Sequence, residues 1–599
     1  NITITPKSKL QSIGTNALCA TKVKSLYIPK GVTSWGQYAF GGNAELTAVD
    51  LTANNNTVTS GGSAFYTTKH GGHENDSDYA LRVYYLSSKD AKDALGSNAG
   101  YSIYAVTNGG TFKTLPEGNT TLAEPEKVGH EFAGWYTDAA CTDGKELTAA
   151  PQAGQTYYAK WTVADTDMVA GGYCGEELTW KLYKNNTDAT NPTYKLVIEG
   201  TGEMYDYAVR GSNIAPWRLD PLKMCENITE ISLPEGITSI GNNAFLKAGI
   251  STLTIPNGVT SIGENAIWNC VDPTDGNVSN VDITLPSSLK EIKTTGIFGK
   301  FTLNLNNENT SFATTDGGKI LYAKDKTKLI QVSQDYATDN LVIPDTVTEI
   351  GDFALHSCDG ITGAVTLPEN VKSLGKEAFF RTNITAIVLN SALEKIDKSA
   401  FRQVATLTGD LVIPKNVKEI GDSAFVGTGL TTVTFENGIE NINVGIGAFA
   451  SNTKAEKIAL PLADVTYGKN GDHAYIFSQY NKDVNDSDKI VEPQLKTIII
   501  GTTADNVQLS ELFANSTANL ETLVLGTGVT EQNALDLGKI KQGLYPSTLN
   551  VSASTNFKNV ATKYTLANST MAHGDQAAML TLEQPANGAD VSSHISYAS

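Results

Sequence analysis

The sequence predicts a solenoid, with one short strand and one short helical or 3₁₀ segment per repeat, in two blocks between which the period is broken. Three observations predict it. Residues 250–267, ISTLTIPNGVTSIGENAI, return as ITEISLPEGITSIGNNAF (228–245), LVIPDTVTEIGDFAL (341–355), VTLPENVKSLGKEAF (365–379) and LVIPKNVKEIGDSAF (411–425). The proline column falls at 234, 256, 286, 344, 368, 390 (where Asn replaces it) and 414, so most steps are 22 to 24 residues, a period that marks stacked repeats. The chain of 599 residues is too long for one core, and its 54 glycines with many Thr, Asn and Ser suit turn-rich β structure.

Each part of the repeat has a physical reason. Leu253 and Ile255 alternate with period 2, giving a short strand with one buried face. Pro256 cannot donate to a ladder and ends the strand, and Asn257-Gly258 supplies a turn. Val259, Ile262, Ala266 and Ile267 recur at helix-like or 3₁₀-like spacing, so a second layer of that type is expected to pack on the strand. Gly263 interrupts that run where the backbone turns tightly or packs closely. One unit cannot bury its own apolar face, whereas stacked neighbours can.

The pattern LxxIxIPxxVxxIGxxAF resembles the BspA-like leucine-rich repeats of bacterial surface proteins, which implies a leucine-rich-repeat solenoid. Residues 1–105 hold a short first block, with a good copy at 26–40 (LYIPKGVTSWGQYAF) and a degenerate one at Ile13-Gly14 with Ala17-Leu18. Residues 106–163 break the period. On Gly134-Trp135-Tyr136, Cys141 and Tyr158-Ala159-Lys160-Trp161 they resemble the internalin B-type (Listeria–Bacteroides) repeat, which implies a β-grasp-like spacer. Trp135 and Trp161 fit its core, the alternative being ligand stacking. Residues 164–226 resemble the N-terminal cap of a BspA-like array, with Trp180, Tyr205 and Trp217 as cap packing or, alternatively, sugar contacts. The main array is placed at 227–549, and 550–599 are read as a terminal cap or frayed end. Within the array, residues 309–335 are expected to insert a hairpin turning at Asp316-Gly317-Gly318, and residues 465–492 a polar loop.

Composition excludes several roles. A formal charge of −19 argues against nucleic acid or anionic lipid as partner, since both need clustered Lys and Arg. No apolar run approaches the roughly 18 residues of a membrane span. The chain begins at Asn1, and the family resemblance implies a mature form whose export signal has been removed. The six cysteines form no CxxC pair or zinc spacing. Cys270 and Cys358 fall three residues after Ile267 and Leu355 and read as buried core residues. Cys174 and Cys225 bracket the cap, and either a disulfide or independent burial fits.

No catalytic constellation stands out. There is no GxSxG, P-loop or GxGxxG at a strand-to-helix junction. His70 and His73 with Glu74, Asp76 and Asp78 suit either a metal ion or a mobile polar loop, and neither metal nor cofactor is assigned. His130, His356, His473, His573 and His594 are scattered, with no nearby Ser or Cys in an activating context. The candidate working surface is the residue between the two buried strand positions, which faces away from the core. That column reads Ser232, Thr254, Thr284, Val342, Thr366, Val388, Val412 and Thr434, continuing through Ala459, Ile499 and Val524. It holds no charged and no aromatic residue. Its neighbour is more varied: Glu230, Thr252, Asp282, Ala364, Ala386, Asp410, Thr432 and Lys457.

The resemblance implies a non-enzymatic, secreted or surface-attached binding protein of a host-associated bacterium, adhering to host matrix proteins or other cells through the solenoid face. The partner expected is a host extracellular-matrix or cell-surface protein, or a glycan. Alternatives are a glycan-binding accessory protein of the cell envelope, using Trp135, Trp180 or Trp217, and a structural stalk. Ligand identity, anchoring and oligomeric state are not legible.

Overall fold

The computed structural model describes residues 10–53 (without 30 and 44), 59–60, 81–88, 90, 102–112, 114, 116–185, 192–211, 213–218, 224–270, 277–439, 441–452, 454–459 and 464–467. Beyond these it describes the strand backbones 497–500, 502–503, 522–525, 548–550, 565–567, 581–583 and 596–598. Two compact units divide between Met204 and Tyr205. Among the described residues no helix is long and apolar enough to cross a membrane.

In the second unit each repeat is one flattened coil that feeds parallel ladders rather than a strand backed by a helix. The strand Thr252–Thr254 pairs in register with Val281–Leu285, and that strand with Phe301–Leu305. A second ladder runs through Ile237–Ile240, Ser261–Ile262 and Glu291–Ile292. Further along, the first ladder resumes as Ala364–Thr366 with Ala386–Val388. It then runs from Thr408–Ile413 through Gly429–Phe435 and Lys457–Ala459 to Thr581–Glu583. The copy at 341–355 lacks the first strand: Leu341 and Ile343 are buried, but the segment joins no ladder, directly after the inserted hairpin.

The second layer therefore corrects the expected helical or 3₁₀ segment. Residues Ser373–Leu374, Lys395–Ile396 and Glu419–Ile420 are two-residue strands in a parallel ladder. Behind them the GxxAF stretch is a run of turns with two left-handed residues four apart: Asn243 and Lys247, Glu377 and Arg381, Ser399 and Gln403, Ser423 and Gly427, all with φ between 54° and 72°. A right-handed helix cannot hold such residues, each of which costs about 1–2 kcal/mol when it carries a Cβ. The cost is offset by bonds to the next coil: Phe379 N donates to Ala400 O at 2.8 Å, Phe401 N to Ala424 O at 2.7 Å, and Phe425 N to Ala448 O at 2.8 Å. Corners spaced three and four residues apart mimic helical periodicity, which explains the wrong expectation.

The glycine of the IG pair is there for close approach. A Cβ on Gly375 would lie 2.5 Å from the backbone N of Asp352 in the coil before it. Gly375→Ala is expected to destabilise that coil by about 1–3 kcal/mol, read as faster amide exchange confined to the neighbouring repeats. Exchange unchanged at residues 350–380 would contradict it. One coil carries Asp397 in this slot, where its carboxylate accepts from the N of Lys398 at 2.6 Å.

Inside four consecutive coils the aromatic ring of the AF pair stacks on the next. Phe379, Phe401, Phe425 and Phe449 are 0% exposed, with centroids 5.1, 5.2 and 5.4 Å apart and planes within 12° of parallel. Three residues further on lies a second buried column that holds Cys270, Cys358, Thr382, Val404, Thr428 and Asn452. Cys270 and Cys358 are core residues, as their spacing predicts, and burial pushes both thiols up. Cys174 and Cys225 are free and buried, each pushed up to about 12 by desolvation, so the disulfide alternative does not apply. The insertion forms the expected hairpin: Phe312–Thr315 and Ile320–Ala323 are antiparallel around Asp316, Gly317 and Gly318, whose φ values are 53°, 64° and 85°. A third strand, Lys328–Val332, joins the second ladder beside Glu349–Ile350.

The first unit differs in what covers its sheet. Ser25–Tyr27, Ala48–Leu51, Arg82–Leu86, Ser102–Val106 and Thr156–Val163 pair in parallel, and His130–Tyr136 closes the edge antiparallel. One face, with Leu26, Val49, Leu51, Tyr84 and Leu86, packs on Trp35 and Phe40. The other, with Ala48, Val83, Tyr85, Ile103 and Ala105, packs under Trp135, Phe112 and Leu122. A segment from the 106–163 stretch straps across it: Gly118 N donates to Thr47 Oγ1 at 3.1 Å, and Ala123 N to Tyr85 Oη at 2.9 Å. Strands buried on both faces read as continuous apolar runs, as residues 83–86 and 103–106 do after their leading Arg82 and Ser102.

One carboxylate is caught under the strap. Asp50 is 2% exposed and accepts from the N of Thr52 at 2.9 Å and its Oγ1 at 2.7 Å. Desolvation raises its carboxyl above the usual range, which the Thr52 bonds only partly oppose. Between the unfolded value near 3.8 and the raised folded value the native state holds the extra proton, so Asp50 lowers stability as pH rises through that window. Asp50→Asn keeps both Thr52 bonds and is expected to stabilise the first unit at pH 7 by on the order of 1 kcal/mol, with no gain below the unfolded value. Equal melting of the two proteins at pH 7 would contradict this.

Candidate binding surface

Most column residues between the two buried strand positions are placed by the pleat of the first ladder. In the second unit Ser232, Thr254, Thr284, Thr366, Val388 and Val412 are exposed strand residues, Val342 is exposed in its unpaired segment, and Thr434 is half-buried. In-register pairing brings Thr254 beside Thr284, Thr366 beside Val388, and Val412 beside Thr434. The ladder adds Asn304 beside Thr284, a position supplied by the strand ahead of the insertion and not assigned from the repeat pattern. Val342, Val388 and Val412 are 70%, 55% and 50% exposed, which places three of the large exposed hydrophobic residues in one line of the repeat. The adjacent column carries Glu230, Thr252, Asp282, Ala364 and Asp410, all exposed.

The corresponding column of the first unit reads Tyr27, Asp50, Tyr85 and Ala105, of which the last three are buried beneath the strap. The open column is thus uncharged and largely β-branched, whereas the covered one holds two tyrosines, an alanine and the buried Asp50.

The tryptophans considered for sugar contact are mostly core. Trp135 is 7% exposed and donates to Ala123 O at 3.2 Å. Trp180 is 7% exposed. Trp217 is 2% exposed, donates to Ala244 O at 2.8 Å and stacks on Phe245. Trp161 is half-buried.

Two histidines are described, His130 and His356. His356 does have a serine in contact: Ser357 Oγ lies 3.0 Å from Nδ1, and Glu377 Oε2 lies 3.4 Å from Nε2. The bond to His356 is the main cause that holds the Glu377 carboxyl below its usual value. The order resembles a hydrolase triad, but the surrounding amides are committed: Ser357 N donates to Phe380 O and Cys358 N to Leu355 O, so neither is available to an oxyanion. The ring is wedged against Phe298, Phe353 and Phe380. Glu377 is 21 residues away in sequence and one coil away in space, so only an alignment of the repeats in register could have paired them. His70, His73, Glu74, Asp76, Asp78, His473, His573 and His594 lie outside the described residues, as does most of the 465–492 insertion.

Six copies of the family described as BspA type leucine rich repeat region match residues 1–71, 221–274 and 333–462, so the chain carries BspA-type leucine-rich repeats. No curated protein matches the chain. Similar solved structures include a leucine-rich repeat protein from Eubacterium ventriosum, 18% identical over 53% of this chain and 92% of the other, with a TM-score of 0.32. The pneumococcal vaccine antigen PcpA is 15% identical over 60% of this chain and 94% of its own, with a TM-score of 0.35. A leucine rich cell surface protein from Faecalibacterium prausnitzii is 16% identical over 75% and 82%, with a TM-score of 0.28.

Proposed function

We propose that the open sheet face of the second unit is a protein-binding surface, and that the chain is a non-enzymatic, secreted or surface-attached adhesin for host matrix proteins or other cells. The observation that carries this reading is the uncharged β-branched stripe, with Val342, Val388 and Val412 exposed in the column that the first unit covers with its own chain. A parallel ladder of small side chains offers a long, regular surface to an extended partner, and the flanking Glu230, Asp282 and Asp410 favour basic residues along its edge. The same reading divides the chain at residues 105, 163, 226 and 549, and takes 106–163 as an internalin B-type, β-grasp-like spacer between two repeat blocks.

The test is saturable binding of the full chain to a panel of matrix and cell-surface proteins, repeated with Val342→Glu, Val388→Glu and Val412→Glu combined. Exposed valines tolerate charge, so circular dichroism and melting are expected to stay unchanged while affinity falls at least tenfold, about 1.4 kcal/mol. Undiminished binding by the triple variant would move the site elsewhere, and silence of the parent across the panel would favour a structural stalk.

A further inference from the structure

The first unit also carries a cleft whose lining residues are not those of the sheet columns. A cleft of about 300 Å³ opens between loop 124–128 and the strands His130–Tyr136, Thr156–Val163 and Met168–Tyr173. That volume falls at the lower end of the roughly 300–1,000 Å³ of small-molecule sites. Its wall is aromatic. Phe132 and His130 meet Trp161 edge-on, at 5.6 Å and 63° and at 6.5 Å and 81°, so neither stacks on the indole face. The indole is fixed by its Nε1, which donates to Thr107 O at 2.8 Å.

The polar groups are of both signs. Lys127 Nζ lies 5.7 Å from the Trp161 ring centroid and donates to Asn108 O at 3.0 Å. Tyr173 Oη donates to Glu126 Oε2 at 3.4 Å, and Glu124 lines the cleft at its rim. His130 Nδ1 lies 3.0 Å from Val128 O, which fixes the proton on Nδ1 and makes Nε2 an acceptor in the neutral ring. A cationic ligand would meet the Lys127 amine in the position over Trp161 that a cation prefers. An anion would meet Glu124 and Glu126. A neutral polyhydroxylated ligand can use both signs at once, with its hydroxyls donating to carboxylate and accepting from ammonium while its C–H face lies on the rings.

We infer that this cleft is a binding site for a neutral saccharide unit, built from a different set of residues than the proposed protein-binding stripe. Ligand-observed NMR and calorimetry on the full chain test it, with neutral hexoses and their disaccharides compared against glucosamine and glucuronic acid. Saturable millimolar binding of a neutral sugar is expected, at least tenfold weaker for both charged analogues. Glu124→Gln, at the rim, is expected to cost about tenfold (1.4 kcal/mol) without changing the circular dichroism. Trp161→Leu is expected to abolish binding; should that variant unfold, Glu124→Gln decides alone. Val388→Glu on the second unit is expected to leave sugar binding intact. The inference is overturned by no neutral-sugar binding at millimolar concentration, by tighter binding of a charged analogue, by an unaffected Glu124→Gln protein, or by loss of binding in Val388→Glu.

Discussion

Replacing Phe401 by alanine is expected to cost the second unit about 3–5 kcal/mol, the range for truncating a buried aromatic residue. The ring is 0% exposed and stacks on two others, Phe379 at 5.1 Å and Phe425 at 5.2 Å. Removal therefore deletes its own burial and one face of packing for each neighbour, while the coils cannot collapse because the ladders fix their spacing. Because each coil touches chiefly its neighbours, the damage should be local. Amide exchange is expected to accelerate sharply across residues 373–430 and little at 237–262. Phe401→Leu, which keeps most of the volume, should cost less than half as much. Uniform loss of protection along the whole unit would show that the array folds as one block and would overturn the nearest-neighbour account.

The second large effect concerns Asn390, which stands where other repeats carry proline. It is 8% exposed, and its Nδ2 donates to Pro368 O at 2.6 Å and Val371 O at 3.0 Å in the preceding coil, while its Oδ1 accepts from Ala392 N at 2.7 Å. Asn390→Asp would replace the donor with a carboxylate oxygen facing two carbonyls, and at pH 7 is expected to cost about 3–5 kcal/mol, the range for an uncompensated buried charge. The sign with pH follows from linkage. The introduced carboxyl has its folded value raised above the unfolded one near 3.9, so the penalty is small below that pH and grows as pH rises through the folded value. Urea titrations at pH 3.5 and pH 7 read the difference; an equal deficit at both would contradict the electrostatic origin.

Much of the fold was legible because the repeat imposes columns. The spacing of Leu253, Ile255, Val259, Ile262, Ala266 and Ile267 located buried positions of that coil correctly, since burial follows the column whatever the backbone does between corners. The layer type was not legible. Left-handed residues such as Glu377, Arg381 and Phe353 are not the Gly or Asn that announce such turns, and the ladder bonds that hold them come from the next repeat.

The open column was read directly from period-2 alternation, and Ser232 through Val412 lie where that alternation puts them. Closure of the first unit's face was not read from the sequence: the repeat period does not show that strands 82–86 and 102–106 are buried on both sides, nor what covers them. The contact of His356 with Glu377 and the cleft beside Trp161 depend on residues from different coils or strands, brought together only by pairing register. Sequence spacing carries no direct signal for either.

The second unit presents an open sheet face and the first a covered one, so a protein partner is expected on the open face. Hydrogen–deuterium exchange of the full chain, with and without a bound protein partner, tests it most directly. The account predicts added protection on binding at Ala364–Thr366, Ala386–Val388 and Thr408–Ile413, and none at Ala48–Leu51 or Arg82–Leu86. Protection confined to the first unit, or to the turns carrying Glu377 and Arg381 behind the sheet, would contradict it.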